Sequence, residues 1–352
     1  MSASSGSADN GPVPDETPPL ALTIGEPAGI GPEISLKAWA HREREALPPF
    51  FAIGDASCYR ETASLLGANI PVERISRPGD ALSVFKHAFP VLDLPLAVAA
   101  RPGELAPENA AAVIGAIDLA CDLALKGEAS GIVTSPIHKR VLYEAGFKLP
   151  GHTEYLAELA GGSPVMMLSC PGLRVALVTI HMPLKAVAAH LSTSAIVETG
   201  TTLARALRTD FGIDAPRLAV AALNPHGGEE GHLGREEIEI IAPAIPLIRD
   251  TGVEVTGPLP ADTLFHERAR ESYDAVLCMY HDQALIPLKT IDFERGVNTT
   301  LGLSIVRTSP DHGTALDIAG KGLAHPGSLI EAIRQAGEIA WNRRRTSAGA
   351  CA

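Results

Sequence analysis

The chain is poor in the residues that staple or anchor a protein. Its five cysteines (Cys58, Cys121, Cys170, Cys278, Cys351) are scattered, with no CxxC pair. That spacing argues against a disulfide framework and a thiolate zinc site, and fits a reducing compartment. Aromatic residues make up 4% against 46% hydrophobic in all, so the core must be built from Ala, Leu, Val and Ile. No apolar run approaches the roughly 20 residues of a membrane span. The N-terminal MSASSGSADNGPVPDETPP lacks the hydrophobic segment of a signal peptide and reads as a disordered tail, residues 1–18. Cations are scarce too: 29 Lys and Arg face 41 Asp and Glu, for a net charge of −12 and a pI near 5.5. Nucleic acid and membrane are therefore poor candidates as partners. A cytoplasmic protein that acts on small molecules is the expectation.

What is present is an α/β pattern. At 352 residues the chain exceeds one ordinary core, which predicts two domains. Apolar strands are expected at Leu20–Ile24, Phe50–Gly54, Val91–Leu96, Arg174–Ile180, Arg217–Leu223 and Ala275–Tyr280, with another running into Thr134. Helical stretches over Glu108–Leu125, Thr193–Arg208 and Arg235–Arg249 lie among them, which implies a largely parallel sheet. GEPAGIGPE (25–33) follows the first strand; its glycines make a tight turn and Pro32 opens a helix, a natural anion or cofactor contact. It is neither GxGxxG nor a Walker loop. In GHTEYLAELA (151–160), Thr153 reads as the N-cap and His152 falls just outside the helix. The C-terminal NRRRTSAGACA reads as a frayed end.

Chemistry concentrates between Met279 and Gly322. His281 follows an apolar strand, as His181 and His226 do elsewhere, and in a parallel sheet such strand ends share one edge. Three neutral imidazoles brought together suit a divalent metal; held apart, they are ordinary hydrogen-bonded loop histidines, and His138 competes for the same role. Lys289, Arg295 and Arg307, with Asn298 among them, suit phosphate or carboxylate against the acidic background. In HGTALDIAGKG (312–322), Gly313, Gly320 and Gly322 let the backbone approach a ligand, and Asp317 offers an acceptor to a ribose or a backbone amide. Asp262 in PADTLF is either a helix cap or a functional carboxylate.

These motifs (GEPAGIGPE, GHTE, the histidine after VTI, NPHGGE, PADTLF, YHDQ and HGTALDIAGKG) resemble those of the 4-hydroxythreonine-4-phosphate dehydrogenase (PdxA) family over residues 20–340. The first and last are also similar to loops of the isocitrate and isopropylmalate dehydrogenases. The resemblance implies a two-domain α/β fold with mostly parallel sheets, like those dehydrogenases. Residues 19–130 with 300–345 would form the first domain, and 131–299 a second that carries the metal and dimer interface, with the active site between them. It implies His181, His226 and His281 as ligands of one divalent metal per subunit (zinc, cobalt or magnesium), shared across a homodimer. His152, Thr153, Lys289, Asn298 and Arg307 would bind substrate. His312, Gly313, Ala315, Asp317 and Gly320 would flank the adenosine of NAD or NADP. Asp262 is the first candidate for the base and His152 the second. The implied reaction oxidises 4-phosphooxy-L-threonine to a 3-keto acid, which decarboxylates to 3-amino-2-oxopropyl phosphate in pyridoxal 5'-phosphate (vitamin B6) biosynthesis. The alternatives are a relative acting on D-threonate or D-erythronate 4-phosphate or on a dihydrodiol carboxylate, a metal-dependent phosphatase, and a non-catalytic phosphometabolite-binding protein.

Overall fold

The computed structural model describes residues 17–349 except 145, 148 and 150. Most of the expected N-terminal tail and Cys351 fall outside the described residues. Short apolar runs build the strands: β1 Leu20–Thr23, β2 Phe50–Gly54, β3 Val72–Ile75, β4 Phe89–Asp93, β5 Ile132–Thr134 and β6 Gly162–Cys170. They continue with β7 Leu173–Leu177, β8 Arg217–Ala221, β9 Glu254–Leu259, β10 Ala275–Cys278, β11 Val297–Leu303 and β12 Arg307–Pro310. All twelve join in one sheet, ordered β3-β4-β2-β1-β5-β12-β11-β6-β7-β10-β8-β9. Pairing is parallel except where β11 meets β12 and β6, and where β6 meets β7. The mostly parallel α/β fold expected from the sequence is the fold observed. Among the described residues no helix is long and apolar enough to cross a membrane. Cys58, Cys121, Cys170 and Cys278 are free and buried.

Several elements differ from expectation. The strand expected at Val91–Leu96 lies at Phe89–Asp93, and β3 beside it (VERI) is an edge strand with two exposed residues, too polar to stand out. The helix of GHTE runs His152–Ala160 with Gly151 as its N-cap, so Thr153 lies inside it and caps nothing. In the helix expected over Arg235–Arg249, a π turn at Glu237–Ile241 precedes an α-helix at Ala242–Arg249. Pro243 and Pro246 lack the N–H groups that a continuous ladder needs. The C-terminal segment expected to fray is helical through Gly349. Arg343 holds buried Asp210 with two bonds of 2.8 Å, and Asn342 Nδ2 donates to the Asp210 carbonyl at 2.9 Å.

The ends of β7, β10 and β8 are tied side by side. Val178 N–H donates to the Cys278 carbonyl at 2.9 Å, and Thr179 Oγ1 to that of Met279 at 2.7 Å. Gln283 joins β10 to β8: its Oε1 accepts from Met279 N–H at 2.7 Å and its Nε2 donates to the Ala222 carbonyl at 2.6 Å. Met279 and Ala222 are fully buried, so no water can replace this amide. Gln283→Ala strands one buried donor and one buried acceptor at about 1–3 kcal/mol each. The expected outcome is a loss of about 2–6 kcal/mol in urea unfolding; an unchanged midpoint would show that the strand ends do not depend on this bridge.

Candidate active site

Arg307 opens β12, between β5 and β11 in the sheet. It is 4% exposed. Thr134 Oγ1 on β5 accepts from its Nη2 at 2.8 Å and its Nε at 3.2 Å, and Thr300 Oγ1 on β11 accepts from Nη1 at 2.9 Å. Among the described residues no carboxylate lies within ion-pair distance of it. Burial lowers its pKa to about 10. A buried cation held only by neutral hydroxyls is costly unless an anion joins it.

Around Arg307 opens a cleft of about 430 Å³. Its lining brings together His152, Thr153, His181, His281, Lys289, Asn298, Arg307, His312 and Gly313 of the sequence-derived set. Lys289, near the end of the helix His281–Ile291, pairs with Asp311 at 3.0 Å. His181 and His281 stand with ring centroids 5.8 Å apart. Asp282 Oδ1 lies 2.7 Å from His281 Nδ1; a proton there leaves the Nε2 lone pair free. Burial lowers the His181 pKa, helped by the charges of Lys139 and His281. Burial holds that of His152 well below its usual value, with Arg307 and Lys139 adding to the effect, and burial also lowers that of His312. Neutral imidazoles are the form that binds a metal or accepts a hydrogen bond.

Buried polar atoms without a hydrogen-bond partner gather here: Ser135 Oγ, His152 Nε2, Asn298 Oδ1 and His312 Nε2 all belong to residues that line the cleft. Each orphan costs about 1–3 kcal/mol, so their clustering marks where ligand atoms complete the site.

Of the residues implied by the family resemblance, five lie outside this lining, as do His138, Arg295 and Gly322. Ala315 (φ 42°), Asp317 and Gly320 sit farther along the 312–322 loop, which packs on the first glycine loop. There Ile30 N–H donates to the Thr314 carbonyl at 3.0 Å, and a Cβ on Gly29 would meet that oxygen at 2.8 Å. Lys37 donates to the Gly322 and Ala324 carbonyls at 2.9 and 2.7 Å while paired with Glu33. Residues 29–35 are all buried in this clasp, so the first helix N-terminus offers no open contact to an anion. Exposed His226 and Asp262 lie on two turns that pack together, 225–231 and 261–263. Among the described residues no group of three His, Cys, Asp or Glu side chains is placed to hold a metal.

Sequence reading missed Lys139 and Glu154, which also line the cleft, and Glu26, a buried carboxyl whose pKa burial raises. Glu26 and Glu154 lie in motifs already noted, and Lys139 follows His138 directly.

The left-handed turn at His226 is equally invisible in sequence. His226, Gly227, Gly228, Glu229 and Glu230 all have positive φ, between 44° and 81°. For the three that are not glycine this costs roughly 1–2 kcal/mol each.

With this geometry in hand, comparison with known proteins is direct. The family model described as "Pyridoxal phosphate biosynthetic protein PdxA" matches residues 46–336. A 4-hydroxythreonine-4-phosphate dehydrogenase of Caulobacter vibrioides is 54% identical over 332 residues, 92% of this chain and 98% of that one. The crystal structure of the Klebsiella pneumoniae enzyme of that name superposes with a TM-score of 0.83 at 39% identity, covering 92% of this chain and 98% of that one. A terephthalate 1,2-cis-dihydrodiol dehydrogenase of Burkholderia xenovorans follows at 0.63 and 29%, over 91% of this chain and 98% of that one. Likeness of this extent, end to end and at more than half of all aligned positions in one relative, has one meaning: the chain belongs to the PdxA family.

Proposed function

We propose that the chain oxidises 4-phosphooxy-L-threonine with NAD or NADP and a divalent metal, giving the 3-keto acid that decarboxylates to 3-amino-2-oxopropyl phosphate on the way to pyridoxal 5'-phosphate. The observation that carries this reading is the buried guanidinium of Arg307, bonded to threonine hydroxyls and influenced by the charge of Glu154 without a direct ion pair, in a cleft rich in orphaned polar atoms. A substrate with a phosphate and a carboxylate supplies the missing negative charge. Arg307 and Lys289 bind its anionic ends, and Asn298 and His152 give directional hydrogen bonds that fix the carbinol C–H. The names borne by relatives at 54% and 51% identity favour this substrate over a dihydrodiol carboxylate, whose enzyme stands at 29%. A phosphatase usually needs several carboxylates on its metals, whereas this lining carries two, Glu154 and Asp311, and Asp311 is paired with Lys289.

His181 and His281 fit two positions of a divalent cation: neutral or able to be so, adjacent, and oriented at His281 by Asp282. Held there, a cation would supply Lewis acidity to a substrate hydroxyl, and a nicotinamide would serve as the hydride acceptor. His226, on the turn that packs against that of Asp262, would enter the cleft of a second copy in a homodimer, with Asp262 beside it as the base. His312 and Gly313 would meet the nicotinamide cofactor at the mouth of the cleft, with Ala315, Asp317 and Gly320 along its adenosine. The two domains of this reading fit the two halves of the sheet on either side of the β12–β11 pairing only with shifted bounds: β5 (132–134) sides with the first half, not with 131–299, and β11 (297–303) crosses the boundary at 300.

Turnover with 4-phosphooxy-L-threonine and NAD should vanish with a chelator and return with zinc or cobalt. Turnover that survives the chelator would overturn the metal's role, and activity confined to threonate or erythronate phosphates would overturn the substrate. His226→Ala and His281→Ala should each be inactive alone. Mixed in equal amounts and allowed to exchange subunits, they should recover about a quarter of wild-type activity, because half the dimers are mixed and each holds one native site. No recovery on exchange would rule out the shared site.

Protonation sets a further test. Native His152 stays neutral where the unfolded chain's histidine, with a pKa near 6.5, takes a proton. The unfolded state then binds more protons, so stability falls as pH drops from 7 towards about 5. His152→Asn should flatten that slope in urea titrations; an unchanged slope would mean His152 is protonated in the fold.

A further inference from the structure

The turn that carries His226 is strained and exposed, yet its base is tightly held by two carboxylates: Glu236 Oε2 accepts from Asn224 Nδ2 at 2.8 Å, and Glu237 makes the wider set of contacts. Glu237 is 3% exposed and opens the π turn Glu237–Ile241, the kind of helical irregularity that gathers at functional sites. Its Oε1 accepts from the backbone N–H groups of Leu223 and Asn224 at 2.8 and 2.7 Å, and its Oε2 accepts from Asn224 Nδ2 at 3.0 Å. The same oxygen lies against Gly228, where an added Cβ would meet Oε2 at 2.7 Å and the Gly234 carbonyl at 2.9 Å. Glu237 thus holds both the residues that lead into the left-handed turn and the glycine at its middle. Five successive left-handed residues are costly even with the short-range bonds of the turn, such as Gly227 N–H to the Asn224 carbonyl at 3.1 Å; they persist only where their surroundings dictate the conformation.

We infer that Glu237 is a positioning residue for His226: it locks the 226–230 turn so that the imidazole stands away from its own cleft, ready to ligate the metal in that of a second copy. The inference rests on the shared metal site proposed above. Glu237 touches neither substrate nor metal and acts through the backbone of 223–228. Its loss should therefore weaken metal binding and leave the cofactor contacts alone.

The test compares wild type, Glu237→Gln, Gly228→Ala and His226→Ala as full-length protein. Zinc affinity is read by competition with a chelating dye, amide exchange over 223–231 by mass spectrometry, and KM and kcat at limiting and saturating zinc. Glu237→Gln keeps one acceptor oxygen and so spares the fold, while Gly228→Ala disturbs the same clamp from the other side. Both should weaken zinc binding by about 10–100-fold, speed exchange in 223–231, and regain kcat at saturating zinc with KM for NAD unchanged. Wild-type zinc affinity in both, alongside a loss in His226→Ala, would overturn the positioning role and leave the metal site standing. Wild-type affinity in His226→Ala would overturn the metal reading itself, and this inference with it.

Discussion

A positive charge buried at the middle of the sheet is the constraint on which the rest of this structure depends. Arg307 lies on β12, where parallel pairing with β5 gives way to antiparallel pairing with β11, and it bonds to a threonine on each. Neighbouring strands are thereby locked in register, and the guanidinium is left with donors to spare on the cleft side. A neutral side chain of similar shape would be cheaper to bury. Its retention makes sense as preorganisation: the anion finds its partner already desolvated and aimed.

The cleft gathers three cations among its histidines. Lys289 pairs with Asp311 beside His312, Arg307 has no carboxylate at ion-pair distance but feels the charge of Glu154, and Lys139 acts on His152 and His181. The histidines between these cations are disfavoured as cations themselves, by burial and by like charge. One arrangement therefore serves two ends, a positive potential in the cleft and the maintenance of imidazole lone pairs.

Much of this was legible in the sequence where the signal was local. RVALVTI and RLAVAAL announce buried strands, and the histidines that follow sit beyond the ends of β7 and β8, with β10 and His281 between them. The two glycine motifs stood out, but not that they clasp one another, which Ile30 and Lys37 achieve across some 285 residues of chain. β11 (VNTTLGL) was hidden because its buried threonines spend their hydroxyls on distant partners, Arg307 and Gln335. The C-terminal helix was misread for the same reason, since Asp210 anchors it from 133 residues away. The left-handed turn at His226 leaves almost no trace: Gly227 and Gly228 hint at it, while His226, Glu229 and Glu230 argue against it. Pattern shows what a segment prefers, and these segments are held by something else.

The position of β12 has a consequence for how the protein is made. The strand that joins the two halves of the sheet is the last of the twelve to leave the ribosome, yet it belongs sixth in spatial order. Until residues 307–310 are synthesised, β5 and β11 present open edges at what will become the interior. Unpaired edges of apolar strands invite association with other chains. Nascent chains stalled short of Arg307 are thus the vulnerable species, and the helix after β12, which packs upon it, is the cover that closes the gap.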